Sequence, residues 1–241
     1  MKLLVLQHAP HEGPGRYAQF AKDAGIKLDT VKLWEPDYRM PTPSDYKAYS
    51  GALIMGGSQG VNDSIDEYPS RDDEVRFIQT FGGPQLGVCL GSQLTAYALG
   101  GYVGRDKRKE CGFYTVKLTE GGRQSIFNGL PDMFSVFHWH GDAFELPQGA
   151  KPLAVAGYDN SVPQAFAAGN KFGVLFHLEM DEHMIRDLLE IDEKWFRKHT
   201  PDQSYHNNTP GDISMQAHTL NDTLDVYARR LFNNFVSIAR K

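Results

Sequence analysis

Cysteine is scarce in this chain, with only Cys89 and Cys111 among 241 residues. That density excludes a disulfide-stapled scaffold and fits a reducing compartment, where a thiol is either packed or chemically employed. Long apolar runs are missing too. No window approaches the roughly 18 apolar residues that a membrane-spanning helix needs. The opening residues Lys2-Leu3-Leu4-Val5-Leu6 read as a strand and not as a basic segment followed by a long apolar stretch, so no secretory leader is expected. The expectation is a soluble, cytoplasmic protein with no membrane contact. Positive charge is short as well. The net charge is −5, and the cluster Arg105-Asp106-Lys107-Arg108-Lys109-Glu110 is interrupted by acids. It reads as a solvated loop, and nucleic acid is not an expected partner, because phosphate binding depends on clustered Lys and Arg. Internal repeats, low-complexity tracts and an interdomain linker are absent, so residues 1–241 read as one domain with a helical segment at 181–241.

What the chain does have is a substantial core, with 41% hydrophobic and 12% aromatic residues, and an alternation of strand and helix patterns in its first half. Lys2–Gln7 is an apolar strand, followed by a Gly/Pro turn through His8–Gly15. Arg16–Ala24 has helical spacing and stops at Gly25. Ile26–Trp34 alternates like a strand, and a Pro-rich loop covers Glu35–Ser44. Ala52–Met55 and Gln85–Val88 read as buried strands, Arg71–Phe81 and Gly91–Leu99 as helices. This alternation predicts a parallel sheet with helices on both faces. In the second half, short strands are expected at Phe113–Leu118, Ser135–His138, Ala143–Leu146, Leu153–Ala156 and Gln164–Ala167, an antiparallel extension before the chain returns at Gly173–Phe176. Helices are expected at Asp181–Lys198 and Asn221–Ala239, with a polar loop at Thr200–Gly211. The last helix carries the stripe Leu224, Tyr227, Leu231, Phe235 and Ile238, which packs into the core or, alternatively, forms a homodimer face.

One stretch carries chemistry. In Gly87-Val88-Cys89-Leu90-Gly91-Ser92-Gln93 a strand turns sharply into a helix with cysteine at the apex. Small residues two positions to either side allow the tight turn, as in a nucleophile elbow with sulfur replacing oxygen. The following helix points free N–H groups and a positive dipole end at the sulfur, which favours the thiolate. A base is available downstream. The apolar run Phe172–Phe176 ends in His177-Leu178-Glu179, and residues two apart on a strand share a face. Glu179 would then hold the His177 imidazole in one tautomer while the other nitrogen faces Cys89. Cys111 has no histidine within a few residues and reads as structural.

These features resemble a known family. The pattern Gly-x-Cys-x-Gly-x-Gln, the Phe-His-x-Glu ending and the Gly-Gly turn in Ala52-Leu53-Ile54-Met55-Gly56-Gly57 resemble the class I glutamine amidotransferase (glutaminase) domain. Phe137-His138-Trp139-His140-Gly141-Asp142 looks like the stand-alone members related to the glutaminase domain of GMP synthase. Leu175, Leu178 and Ser58 stand where such families often carry Gln, Pro and Pro. The resemblance implies an α/β, flavodoxin-like three-layer αβα fold with a mostly parallel central sheet plus a small antiparallel extension. It further implies Cys89, His177 and Glu179 as catalytic residues and L-glutamine as substrate, with no cofactor and with ammonia passed to a separate synthase or ligase.

Amide hydrolysis passes through an oxyanion that needs fixed donors. The Leu90 N–H, just after the nucleophile, and the Gly57 N–H are the candidates. A phosphate-cradle reading of Gly56-Gly57-Ser58-Gln59-Gly60 is weak, since no Gly-Lys-Ser/Thr follows. Gln93, at i+4 from Cys89, lies on the nucleophile's face, and the resemblance places it on the bound glutamine. The resemblance also sets His140 and Asp142 beside the substrate's α-amino group. His138 and His140 share a strand face as metal ligands can, but no thiolate partner is near, and a metal is not expected. Two alternatives stay open: a γ-glutamyl peptidase-like hydrolase of small γ-glutamyl compounds, and a non-catalytic regulatory protein of the same fold.

Overall fold

The computed structural model describes residues 1–199 and 209–241, without the side chains of residues 105–108, 198 and 199. Nine strands form one sheet: β1 Lys2–Gln7, β2 Lys27–Lys32, β3 Gly51–Ile54, β4 Gln85–Val88, β5 Val103–Leu118, β6 Met133–Phe144, β7 Lys151–Ala156, β8 Pro163–Ala168 and β9 Lys171–Val174. Their order across the sheet is β2-β1-β3-β4-β9-β8-β7-β5-β6. The first five in that order pair in parallel, and the other four attach antiparallel. The helices are α1 Arg16–Asp23, α2 Arg71–Thr80, α3 Leu90–Ala98, α4 Glu120–Arg123, α5 Glu182–Ile191, α6 Glu193–His199 and α7 Pro210–Ala239.

Strands β1, β3 and β4 are wholly apolar or nearly so, as strands buried on both faces must be. One face is packed by Tyr17 and Phe20 of α1 with Leu224, Leu231, Phe232 and Phe235 of α7. The other is packed by Phe77 and Ile78 of α2 with Leu90 and Leu94 of α3. The result is the expected three-layer αβα arrangement. Most of the stripe on α7 lies in this core: Leu224, Leu231 and Phe235 are buried, with Tyr227 and Ile238 packed against them. Among the described residues, no helix is long and apolar enough to cross a membrane.

Several boundaries differ from the sequence expectation. The cluster at 105–110, expected as a loop, has strand backbone within β5, with a register irregularity between Arg105 and Glu110. Ser135–His138 and the Ala143-Phe144 half of Ala143–Leu146, expected as two strands, are parts of β6, which runs through Gly141 because β5 pairs with it on both sides of that irregularity and ends at Phe144. The helix expected at Asp181–Lys198 breaks at Asp192 into α5 and α6. The last helix starts at Pro210 and not at Asn221. Its extra turns bury only Ile213 and Ala217, a sparse signal at four-residue spacing. A capping box between Thr209 and Asp212, with Pro at the first position, starts it. Most of the polar loop expected at Thr200–Gly211 lies outside the described residues.

Parallel pairing brings the carboxyl ends of β1, β3, β4 and β9 side by side, where open α/β sheets place their sites. The turn from β4 into α3 is possible only with glycine at two positions. A Cβ on Gly87 would overlap the Gly91 carbonyl, and one on Gly91 would overlap the Ile54 carbonyl. Gly91→Ala is therefore expected to lower stability by about 1–3 kcal/mol, read as a lower urea midpoint at unchanged m-value. Gly82→Ala, where an added Cβ meets nothing within 4 Å, should shift the midpoint little.

Candidate active site

Cys89 follows β4 and caps α3 with φ 50° and ψ −110°. Among the described residues it is the only non-glycine with positive φ. Such a backbone holds a side chain clear of the strand end, as a nucleophile elbow requires. Hydrogen bonds fix the turn: Cys89 N–H donates to Val174 O at 2.9 Å, and the Ser92 hydroxyl donates to Cys89 O at 2.6 Å. Cys89 is 6% exposed and borders a cavity of about 660 Å³. Its Sγ lies 3.8 Å from Trp139 O. Cys111 is buried away from that cavity, and burial pushes its thiol up to about 12.

His177 and Glu179 do not sit on a strand. β9 ends at Val174, and His177 forms an isolated antiparallel bridge with Phe137 of β6, its N–H donating to Phe137 O at 2.8 Å. The two side chains still meet, with His177 Nδ1 2.6 Å from Glu179 Oε1. Leu178 between them is buried in the core, as is Leu175, so apolar anchoring holds the spacing. Burial opposes charge on His177, but Glu179 and Cys89 outweigh it and raise the imidazole pKa well above its ordinary value. The ring's Nε2 is buried and has no hydrogen-bond partner among the described residues, so it remains available at the site.

The backbone behind Glu179 is clamped from α1. Arg16 N–H donates to Glu179 O at 2.8 Å, and Gly15, with φ 46°, makes this approach possible because a Cβ there would overlap the same carbonyl. The Arg16 guanidinium reaches Met180 O, Asp225 and Asn221, tying the segment to α7. Sequence reasoning did not single out Arg16; the only hint was the Gly/Pro turn before it.

Gly56 and Gly57 follow β3 beneath the same cavity. A Cβ on Gly56 would lie 2.5 Å from Glu12 Oε2, and one on Gly57 would lie 2.7 Å from Leu90 Cδ2 and 2.8 Å from His8 Cβ. Position 57 is closed to larger residues by the His8 Cβ, whereas an added Cβ at position 56 would overlap only the end of the Glu12 side chain. Among the described residues, neither the Gly57 nor the Leu90 N–H donates to a protein acceptor. Gln93 lines the cavity and donates from Nε2 to Asp142 O at 3.0 Å. His140 and Asp142 line it too. Trp139 forms another part of the wall, with its Nε1–H donating to Asp192 at the break between α5 and α6. Glu12, missed from sequence, is a buried wall residue whose carboxyl pKa burial raises, against the opposing pull of His177.

A second buried cluster joins β5, β6 and β8. His138 Nδ1 and His140 Nε2 each lie 3.2 Å from Glu110 Oε2, and Gln164 Nε2 donates to the same oxygen at 2.8 Å. Burial opposes charge on Glu110, yet the two imidazoles hold its pKa far below the usual carboxylate range. Among the described residues, Glu110, His138 and His140 are the side chains spaced to hold a metal ion. The donor set fits one poorly. Gln164 already occupies the shared oxygen, and the outer nitrogens His138 Nε2 and His140 Nδ1 lack the hydrogen-bond partners that metal-bound imidazoles almost always have. The cluster is a buried carboxylate that accepts from Gln164 and lies beside two imidazoles, whose nitrogens His138 Nδ1 and His140 Nε2 are also 3.3 Å from each other.

A strained cysteine at a strand-to-helix turn, facing a carboxylate-held imidazole on a parallel sheet, defines a class of protein. The family model for class I glutamine amidotransferases matches residues 17–187, and the chain belongs to that family. Its relatives include the glutamine amidotransferase-like protein YfeJ of Salmonella typhimurium, 27% identical over 197 residues, covering 79% of this chain and 80% of that one. A component of the glutamine-hydrolysing GMP synthase of Saccharolobus solfataricus is 29% identical over 158 residues, covering 64% and 81%. Among solved structures, a glutamine amidotransferase from Thermotoga maritima superimposes with a TM-score of 0.84 at 26% identity, covering 98% of both chains.

The pair at 2.6 Å makes a measurable statement about His177. Because the Glu179 carboxylate raises the imidazole pKa, Glu179→Gln should lower it. The imidazole ¹⁵N shifts of His177 followed through a pH titration check this, with the transition moving to lower pH in the variant.

Proposed function

We propose that the protein hydrolyses the side-chain amide of glutamine through a γ-glutamyl thioester on Cys89. The Cys89 sulfur, its proton held by His177, attacks the amide carbon, and the carbonyl electrons move onto oxygen. The Gly57 and Leu90 N–H groups hold that oxyanion. As the tetrahedral species collapses, His177 Nε2–H protonates the leaving nitrogen and ammonia departs, leaving the thioester. A water then attacks the thioester carbon while His177 takes its proton. Glutamate leaves as the sulfur is expelled as thiolate, which restores the starting ion pair. Glu179 keeps the imidazole oriented through both steps. Gln93, His140 and Asp142 bind the amino-acid end of the substrate, where the Asp142 carboxylate complements the α-ammonium.

The observation that carries this reading is the state of His177. One nitrogen is pinned by Glu179, the other is buried with the Cys89 sulfur as its neighbour, and that sulfur pulls the ring toward its charged form. A packed, non-catalytic histidine gives no reason to bury a free ring nitrogen beside a thiol. For the fate of ammonia, a relative named as one component of a glutamine-hydrolysing GMP synthase supports transfer to a separate synthase.

Purified protein given glutamine should release equimolar ammonia and glutamate, alone or with an ATP-using synthase added. Cys89→Ser should lower that rate at least about 10³-fold, and Cys111→Ser should not. Release of glutamate from γ-glutamyl dipeptides without ammonia from glutamine would replace the substrate assignment. Turnover of neither would leave a binding protein.

A further inference from the structure

The turn that supplies the Gly57 N–H carries a mechanical problem. Glycine at both 56 and 57 removes every Cβ that would resist rotation of the peptide between them. A trans peptide points its C=O and N–H in opposite directions. Rotated by half a turn, the Gly56–Gly57 peptide would present its carbonyl oxygen where the Gly57 N–H is needed, and an oxygen there repels an oxyanion. With glycine at both positions, the orientation of the peptide is left to something else.

His8 supplies it. This residue follows β1, directly beside the end of β3, and is buried. Its Nδ1 lies 3.0 Å from Gly56 O, and since a carbonyl only accepts, Nδ1 carries the hydrogen. Its Nε2 lies 2.8 Å from Glu74 Oε2, with the Tyr68 hydroxyl 3.0 Å away. Ser70 Oγ donates to the other oxygen of Glu74 at 2.8 Å. Both ring nitrogens therefore face acceptors, the arrangement of an imidazolium, and although burial opposes that charge, Glu74 raises the pKa in the same direction. A buried ion pair is weak evidence for stability alone. Here it fixes a ring whose free edge grips one carbonyl.

We propose that His8 is a positioning residue that locks the Gly56–Gly57 peptide with its N–H aimed at the Cys89 side, and that Glu74, Ser70 and Tyr68 hold His8 for this task. Donation to the carbonyl also polarises the peptide, which strengthens the N–H as a donor. The inference rests on the reading of Cys89 as an amide-hydrolysing nucleophile.

Asparagine and glutamine at position 8 separate the two bonds of the ring. The Asn amide nitrogen stands near the place of Nδ1 and can still donate to Gly56 O; the Gln amide nitrogen stands near the place of Nε2 and reaches Glu74 instead. His8→Gln and His8→Phe should lower kcat on glutamine about 10²-fold, the scale of a lost oxyanion donor, with KM within about threefold. His8→Asn should recover at least about tenfold relative to His8→Gln. Affinity for glutamate γ-semialdehyde, which forms a tetrahedral adduct on the thiol, should fall in parallel with kcat. The alkylation rate of Cys89 by iodoacetamide, which forms no oxyanion, should not change. Wild-type kcat and aldehyde affinity in His8→Gln would overturn the proposal. So would equal losses in the Asn and Gln variants, or parallel loss of iodoacetamide reactivity, each of which marks a purely structural role. Full activity in Cys89→Ser would instead bring down the nucleophile assignment itself.

Discussion

Cys89 holds a backbone conformation that costs a residue with a Cβ about 1–3 kcal/mol, and the surroundings are built to keep it there. Gly87 and Gly91 leave room for the chain to fold back on itself, the Ile54 carbonyl closes over Gly91, and β9 accepts the Cys89 N–H. Release the turn and the sulfur loses its direction, α3 loses its start, and β4 no longer ends beside β9. The strain is local, and it is balanced by the apolar packing of β3, β4 and α3, with Leu53, Ile54, Leu86, Leu90 and Leu94 almost fully buried. A rigid scaffold with one strained residue at its edge suits the nucleophile role proposed for Cys89.

Around that turn, three carboxylate–imidazole groups are buried among the described residues: His177 with Glu179, His8 with Glu74, and His138 and His140 with Glu110. Buried charge is expensive unless it is paired and hydrogen-bonded, so three such groups ask for a reason. Each fixes an element bordering the cavity. The first holds the His177 ring against Glu179, the second grips the turn after β3, and the third joins β5, β6 and β8 behind the wall formed by Trp139 and Asp142. Preorganisation of this kind places dipoles before the reaction begins, which is where most electrostatic catalysis arises.

Much of the first half was legible because its signals are local. The spacing of Gly87, Cys89 and Gly91, the apolar strands β1, β3 and β4, and the alternation with helices each declare themselves within a few residues. The second half was less legible. β5 and β6 read as fragments and a charged loop because their continuity comes from pairing with each other, and a strand sustained by its partner need not show strong internal alternation. The start of α7 was hidden because its first turns bury only two residues, Ile213 and Ala217. His177 and Glu179 were identified correctly as neighbours on a mistaken premise. The segment is not a strand; buried Leu178 and the bridge to Phe137 hold the two side chains together.

By itself, the sequence determined the sharp glycine-flanked turn at Cys89 and the parallel α/β character, and it offered His177 and Glu179 as a candidate pair, because residue type and short-range spacing dictate those. Tertiary structure alone decided which buried groups serve them. Glu110 reaches His138 and His140 across paired strands, Arg16 reaches Glu179 over 163 positions of chain, and His8 meets Gly56 only because β1 and β3 pair in parallel with their carboxyl ends level. Contacts between residues so far apart in the chain follow from strand order and register, which no local pattern encodes.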